Sequence, residues 1–249
     1  IRDHKYLLDV IVIEPNSTAN AIYIKAGGDV GIGTPVPQYR LDVSEDARIN
    51  GVRIGLGNGN NNTNLAVGRL ALNTNSTGIE NTALGRQALL FNTTGSANTA
   101  TGFQALIANN TGSGNTANGC YALIGNTSGS SNIAIGIGTL YHNTIMSNLV
   151  AVGDSALYNN GTDATLPEHA RYNTAVGSKA LSFNTNGYCN AAFGFNALYL
   201  NTTGAFNTAS GNGALYGNQT GYSNTANGAY ALYSNTTGYG NTASGVSAL

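Results

Sequence analysis

Few residues in this chain have types and spacing that could do chemistry, and Ser155 is the first of them. It lies in the segment Gly153-Asp154-Ser155-Ala156-Leu157. A Ser can act as a nucleophile in acyl transfer when a His is placed to take its proton. The sequence places no His beside it, and the Gly, Ala and Leu of this segment recur along the chain. We therefore interpret Ser155 as a structural residue and predict no catalytic residue.

Two acidic residues, Asp163 and Glu168, lie close together and could in principle act on a glycosidic bond. Glycan cleavage needs two carboxyl groups that face one bond. From residue 64 onwards the chain has only two other acids, Glu80 and Asp154. A glycan-cleaving tailspike is therefore an open alternative, which the scarcity of acids disfavours.

Metal and cofactor sites are not predicted. The three His residues (His4, His142 and His169) are scattered, without the spacing of metal ligands. The two Cys residues, Cys120 and Cys189, are about four repeats apart, too far for a disulfide within one chain. We expect both thiols to be free.

The composition excludes several classes of protein. Among 249 residues only 8% are charged and the net charge is -1, whereas ordinary soluble domains carry about 25% charged residues. No cluster of Lys and Arg is available to neutralise phosphates, so a nucleic-acid partner is not predicted. No apolar segment reaches the ~20 residues of a membrane span.

Eleven of the 34 Gly residues recur at a fixed position of a repeat. The sequence Asn-Thr-Ala-x-Gly-x-x-Ala-Leu recurs from Asn64 to Leu249, every 17 residues with a single step of 24. The repeated glycines are Gly68, Gly85, Gly102, Gly119, Gly136, Gly153, Gly177, Gly194, Gly211, Gly228 and Gly245. Such self-similarity is the signature of a repeat architecture.

Numbering each repeat from its first Asn shows which positions are constant. Position 3 is always Ala, position 5 Gly and position 9 Leu, as at Leu89 and Leu106. Position 12 is Asn, as at Asn92, Asn109, Asn201 and Asn235, and in most repeats it opens a turn sequence Asn-x-x-Gly, such as Asn-Thr-Thr-Gly from Asn92 to Gly95. We expect Gly to supply positive φ in this turn. The repeat then consists of two short extended segments, Thr-Ala-x-Gly and one centred on Ala-Leu.

These patterns predict an all-β fold, a parallel β-solenoid or β-roll of 17-residue coils. Seventeen residues are too few for a pair of helices, and no 3.6-residue apolar spacing is present. Coils stacked at ~4.8 Å would place identical Asn side chains above one another as hydrogen-bonded ladders.

A single coil buries little apolar surface, so we expect neighbouring chains to contribute. Burying a Leu stabilises by ~1.5–3 kcal/mol, while ordering one residue costs ~1–2 kcal/mol. Position 4, which is often apolar, is one candidate contact, and the Tyr residues at position 10 are the other. The alternative is that these Tyr side chains cover a solvated face. The Tyr residues are Tyr141, Tyr158, Tyr199, Tyr216 and Tyr233.

The first sixty residues differ in composition and carry most of the charges. We divide the chain into an N-terminal β module (1–27), a connector (28–63) and the repeat array (64–249). Strands are predicted at Leu7 to Glu14 and Ala21 to Ala26 from alternation and β-branching. The chain starts at Ile1 without Met, which we interpret as a segment of a longer fibre protein.

The repeat, as at Asn81 to Leu89, resembles the YadA-like head repeats of trimeric autotransporter adhesins and related phage tail-fibre and bacterial surface-fibre proteins. This resemblance covers residues 64–249. It implies a left-handed β-roll in which three chains share one core. Residues 28–54, with Val30-Gly31-Ile32-Gly33-Thr34, resemble a tail-fibre-type connector, which implies a role in joining fibre modules.

The repeat is interrupted once, by an insertion at about residues 162–172. It concentrates Asp163, Glu168, His169 and Arg171 around Pro167. Insertions in repeat proteins form loops on one face, often the binding face. These four residues are candidate receptor contacts; a tolerated surface loop is the alternative.

We therefore expect a non-enzymatic structural and adhesive fibre segment, extracellular, on a bacterial cell surface or phage virion. Its expected partners are further copies of itself as a homotrimer, and a host-cell or prey surface through a glycan or protein receptor. An ice- or crystal-binding solenoid is the second hypothesis. Such a solenoid needs regular rows of Thr on a flat strand face. In this chain the Thr row at position 2 is interrupted, for example by Leu65 and Ile133, which argues against this hypothesis.

Overall fold

The described part of the chain consists of β-strands and turns, with no helix. The computed structural model describes residues 22–25, 27–59, 61–162, 164 and 169–249. The chain divides into two compact units, one up to Ala47 and one from Arg48, and this division lies within the predicted connector. The strand predicted at Leu7 to Glu14 lies outside the described residues.

The first unit contains a three-stranded sheet. Its strands are β1 (Ile22–Ile24), β2 (Val30–Ile32) and β3 (Leu41–Val43). Strand β2 is central, antiparallel to β1 and parallel to β3. The strand predicted at Ala21 to Ala26 is confirmed over Ile22–Ile24.

The second unit is a thirteen-stranded sheet with one strand per coil along the repeat array. It begins with β4 (Ala47–Ile49) and β5 (Val52–Gly55). The array then contributes β6 (Leu65–Gly68), β7 (Thr82–Leu84), β8 (Thr99–Thr101), β9 (Thr116–Asn118), β10 (Ile133–Ile135), β11 (Val150–Val152), β12 (Thr174–Val176), β13 (Ala191–Phe193), β14 (Thr208–Ser210), β15 (Thr225–Asn227) and β16 (Thr242–Ser244). From β6 onwards every neighbouring pair is parallel, which confirms the predicted β-solenoid.

The register of this sheet places each position-3 Ala beside the next. Ala83 pairs with Ala100, and the pairing of Ala151 with Ala175 keeps the register across the 24-residue step. The insertion therefore leaves the sheet continuous. At the other end β5 runs antiparallel to β6, so the connector supplies the first neighbour of the parallel strands.

The core lies inside each coil of the single chain. The Ala at positions 3 and 8 and the Leu at position 9 point inward, and Ala83, Ala88 and Leu89 have no solvent exposure. Side chains at positions 2 and 4 point to the outer face of the sheet because neighbouring residues of a strand alternate sides. The Leu core is thus closed without a side chain from another chain.

The segment centred on Ala-Leu is not a strand, so the prediction of two extended segments per repeat is wrong in its second part. Gln87 and Leu89 have φ of 62° and 50°, in the left-handed region. The backbone there bonds in both directions: Gln87 N donates to Arg69 O of the preceding coil (2.9 Å), and Leu89 N donates to Ala105 O of the following coil (3.1 Å). These inter-coil bonds offset the strain of left-handed non-glycine residues.

Two glycine columns are required for different reasons. At position 5, Gly85 has φ +138°, and a Cβ there would lie 2.4 Å from Gly102 O. At position 15, Gly95 is not in the left-handed region, so the expectation of positive φ in the Asn-Thr-Thr-Gly turn is wrong. A Cβ on Gly95 would instead lie 2.3 Å from Gly112 O and 2.5 Å from Asn92 Oδ1. Position 15 therefore requires Gly because the stacked coils leave no space for a Cβ.

Candidate functional surfaces

The position-12 Asn residues form a ladder inside the solenoid, as predicted. Asn109 Nδ2 donates to Asn92 Oδ1 at 2.7 Å, and Asn126 Nδ2 donates to Asn109 Oδ1 at 2.8 Å. The second Nδ2 hydrogen of Asn109 reaches Gly112 O of its own turn at 2.9 Å. The amide of Asn109 is buried with both its donor and its acceptor satisfied, which a buried polar group requires.

The position-1 Asn residues form a second ladder parallel to the first. Asn98 donates to Asn81 Oδ1 through both its backbone N (3.0 Å) and Nδ2 (3.1 Å). Asn98 Nδ2 also donates to Gly112 O, the carbonyl that accepts from Asn109. In most coils one Gly carbonyl thus joins the two ladders, which explains why Asn and Gly are abundant together.

Both ladders are interrupted next to the insertion, where the repeat that begins at Asn132 is followed by the repeat that begins at Leu149. Leu149 replaces the position-1 Asn and is fully buried, and the nearly buried Met146 stands where other coils have Gly at position 15. Within the described residues, Asn143 Oδ1 is buried and has no hydrogen-bond partner. Asn160, which would be its partner in the ladder, donates to Ala170 O instead. Neither replacement was singled out from the sequence, although both depart from the repeat columns.

The four candidate receptor contacts lie at the insertion, and the structure describes two of them. Asp163 and Glu168 lie outside the described residues, so the proposed acid pair has no described geometry. His169 and Arg171 are half-buried. His169 Nδ1 and Arg171 Nε are both buried atoms without a hydrogen-bond partner in the described part of the chain.

The other chemistry-bearing residues are absorbed into the repeat. Ser155 occupies position 7 with φ 53°, and its Oγ donates to Asp154 Oδ1 at 3.4 Å. The His142 ring packs edge-on against Tyr141 and Tyr158. Cys120 and Cys189 are free, as expected. Among the described residues there is no group of three His, Cys, Asp or Glu side chains that could hold a metal ion.

The outer face of the parallel strands carries no charged side chain. Positions 2 and 4 from β6 to β16 contain only aliphatic, Phe, Thr, Ser and Asn residues. Several of these apolar side chains are substantially exposed, among them Leu65 (44%), Ile133 (40%) and Phe193 (43%). This outer strand face includes the position-4 candidate contact.

The position-10 Tyr residues stack on one another in two groups. Tyr141 and Tyr158 have ring centroids 4.9 Å apart, with ring planes 19° apart. Tyr199 and Tyr216 are 5.2 Å apart at 20°, and Tyr216 and Tyr233 are 4.9 Å apart at 11°. Ser182 occupies position 10 between the groups. The distance between stacked rings is therefore close to the ~4.8 Å distance between successive coils.

Stacking perturbs the central phenol of the longer group. Burial raises the pKa of Tyr216 above its ordinary value of 10.0, and the neighbouring Tyr233 and Tyr199 raise it further. A phenolate there would be partly desolvated and close to two other ionisable phenols. The stack thus favours the neutral, hydrogen-bonding form of Tyr216.

Sequence reasoning missed the structural role of Arg53. It is buried at the start of the solenoid, where Nη1 donates to Ala71 O (3.3 Å) and Nη2 to Asn58 Oδ1 (2.9 Å). The first coil has no preceding coil to bond to its backbone, and the Arg53 guanidinium donates hydrogen bonds to carbonyl groups there instead. An Arg between Val52 and Ile54, on an otherwise apolar strand, was the available signal.

No protein-family model, curated protein or solved structure matches this chain significantly. Within the described residues, no helix has the length and apolar character needed to cross a membrane.

Proposed function

We propose that this chain is a non-enzymatic segment of an extracellular fibre that mediates attachment to a host-cell or prey surface. In this proposal it belongs to a bacterial cell surface or a phage virion, and three copies associate side by side. The YadA-like repeat resemblance and the observed solenoid both support a fibre. A β-solenoid extends by adding coils, and each coil contacts only its neighbours, so length and surface are gained together.

The observation that carries the proposal is the uncharged outer strand face. In most coils the inward-facing residues are the same Ala, Leu and Asn, because they form the core and the ladders. The outward-facing residues are not constrained in this way and can vary. On this face they remain uncharged over eleven strands, and Leu65, Ile133 and Phe193 stay exposed. Depletion of charge with exposed apolar side chains is typical of a protein–protein contact. A second and third copy would bury this face.

A non-enzymatic role agrees with how the chain uses its reactive residues. Ser155 has a carboxylate neighbour, and His142 is packed between aromatic rings. Both side chains thus make structural contacts within the coil stack. The insertion with His169 and Arg171 is the candidate receptor contact in this proposal.

Attachment is tested with beads that carry the full chain, applied to cultured animal cells and to bacterial lawns under flow. We expect retention on at least one of these surfaces. The matched control is Leu198→Asp, which places a charge in the core and unfolds the coil stack. Equal retention of wild-type and control beads on every surface would contradict the proposal.

Ice or crystal binding is a second candidate, favoured by one feature of the outer strand face. Thr208, Thr225 and Thr242 are aligned in register on β14, β15 and β16, and all three are exposed. A thermal-hysteresis measurement tests this candidate. Hysteresis that disappears when the three Thr residues become Val would favour it over the adhesive fibre, and its absence would remove it.

A further inference from the structure

A compact aromatic surface lies in the second half of the repeat array. It consists of the Tyr199–Tyr216–Tyr233 stack and two rings that stand across it, Phe183 and Tyr230, and is named here the tyrosine face. Phe183 meets Tyr199 at 76° with centroids 5.0 Å apart, and Tyr230 meets Tyr233 at 66° and 5.6 Å. Phe183 and Tyr230 are 42% and 45% exposed.

The coils that carry the tyrosine face (residues 173–240) contain one charged residue, Lys179, in the coil of Phe183. No Asp, Glu, Lys or Arg occurs between residues 180 and 249, and the last charged residue before this stretch is Lys179. A polymer with a negative charge on each unit, such as a nucleic acid or an acidic polysaccharide, would find only one counter-charge there, Lys179. The side chains of this region are aromatic rings, hydroxyls and amides, which can bind an uncharged partner rich in hydroxyl groups.

The tyrosine face also repeats at a constant spacing. Its stacked rings follow one another at 5.2 and 4.9 Å, one per coil. A linear polymer of small units presents the same group at short, regular intervals, so its successive units can contact successive coils. We propose that the tyrosine face binds a linear, uncharged polysaccharide laid along the direction of the coils.

The two kinds of ring would make different contacts with such a chain. The stacked rings of Tyr199, Tyr216 and Tyr233 cover one another's faces, so they offer ring edges and phenolic hydroxyls, which both donate and accept hydrogen bonds. The crosswise rings of Phe183 and Tyr230 have exposed surface on which the apolar face of a sugar can pack. The hydroxyl of Tyr216 is protonated over the physiological range, because its pKa lies above the ordinary value of 10.0.

This inference rests on the proposed attachment function and names the class of surface polymer that is recognised. The test measures retention of the full chain on insoluble cellulose, chitin and mannan, with polygalacturonate as the charged comparison. We expect retention on at least one neutral polymer and none on polygalacturonate. Retention on no neutral polymer overturns the inference, as does stronger binding to polygalacturonate. If beads still attach to cells in that case, the attachment function stands without it.

Variants locate the binding on the tyrosine face. Replacing Tyr199, Tyr216 and Tyr233 by Phe keeps the stack and removes three hydroxyls, which we expect to weaken retention about tenfold or more. Replacing both Phe183 and Tyr230 by Ala removes the crosswise rings and gives a similar loss.

The matched control is the stack of Tyr222 and Tyr239, two exposed rings 4.9 Å apart in another column. Their replacement by Phe should leave retention within about twofold, the scale of a surface change remote from a binding site. Circular dichroism confirms that each variant is folded. Equal retention by the triple Phe variant, the double Ala variant and wild type contradicts the assignment to this face.

Discussion

At the residue scale, the solenoid depends on side chains that satisfy their hydrogen bonds only in a stack. A buried Asn amide has two donor hydrogens and an acceptor oxygen, and in the ladders these groups bond to identical Asn residues and to Gly carbonyls. Each amide left unpaired in the interior would cost about 1–3 kcal/mol. The same Asn that stabilises a continuous stack therefore penalises an interrupted one.

The first prediction concerns Asn109. Its replacement by Ala removes the bonds to Asn92 and Gly112 and leaves one Nδ2 hydrogen of Asn126 without an acceptor. We expect a loss of about 2–4 kcal/mol in the free energy of unfolding, measured by denaturant titration with circular dichroism. Asn212→Ala, at an exposed position, is the control and should change it by about 0.5 kcal/mol or less. Equal effects of the two substitutions would show that the ladder does not stabilise the fold.

The second prediction concerns the left-handed backbone at position 7. Lys179 has φ 60° and is exposed, and two other coils have Gly at this position, Gly138 and Gly213. Lys179→Gly should stabilise the chain by about 0.5–1 kcal/mol because it removes the left-handed strain. Ser178→Gly, at the neighbouring residue, should instead destabilise it by a similar amount. Thermal melting of both variants checks the opposite signs.

At the element scale, the coils share one plan but differ in how they cover their outer surface. In the first half of the array a Ser column at position 16 accepts backbone N–H groups, as when Ser96 N donates to Ser113 Oγ at 3.0 Å. After the insertion the complete coils have an aromatic residue at position 10, at position 16 or at both, as with Tyr216 and Tyr222. The interruption at Met146 and Leu149 lies between the Ser column and these coils.

The third prediction follows from the tyrosine stack. The folded-state pKa of Tyr216 lies above the unfolded value of about 10. Its contribution to stability is therefore fully present below about pH 10 and is lost as pH rises through the folded-state pKa. The melting temperature of wild type should fall more steeply above about pH 10 than that of Tyr216→Phe, which has no proton to lose. Parallel alkaline profiles would show that the stack does not perturb this phenol.

The fourth prediction concerns the interrupted coil. Asn143 Oδ1 has no partner in the described residues, and Leu149 replaces a ladder amide. Backbone amides from Asn143 to Leu149 should therefore exchange with deuterium about tenfold or more faster than those of the coil around Asn109, since local opening there breaks fewer bonds. Uniform protection along the array would contradict a weak coil.

How far the sequence determines this fold differs between elements. Columns of identical residues every 17 positions suffice to predict parallel strands and Asn ladders, because only in-register coils bring like residues together. The turn at Gln87 and Leu89 could not be predicted, since neither residue favours positive φ and only bonds to neighbouring coils hold it. The packing role of Gly95 could not be predicted either, because the space available for a Cβ there depends on the distance to Gly112 of the next coil. The candidate receptor contacts Asp163 and Glu168 remain predictions.

At the scale of the whole molecule, the single chain closes its own core but leaves the outer strand face uncovered. Ala83 and Leu89 have no solvent exposure, whereas Ile133 and Ile135 are 40% and 39% exposed on β10. An interface between copies would bury these outer side chains without rearranging the coils. The proposed homotrimer thus requires contact between finished solenoids, not a Leu core completed by other chains.

The native mass of the assembly tests this central proposal most directly. Light scattering on a sizing column should give three times the 25.4 kDa of one chain. The double variant Ile133→Asp and Ile135→Asp should give the mass of a single folded chain, because it places charges on the outer strand face. A wild-type mass of 25.4 kDa at every concentration tested would contradict the trimeric fibre.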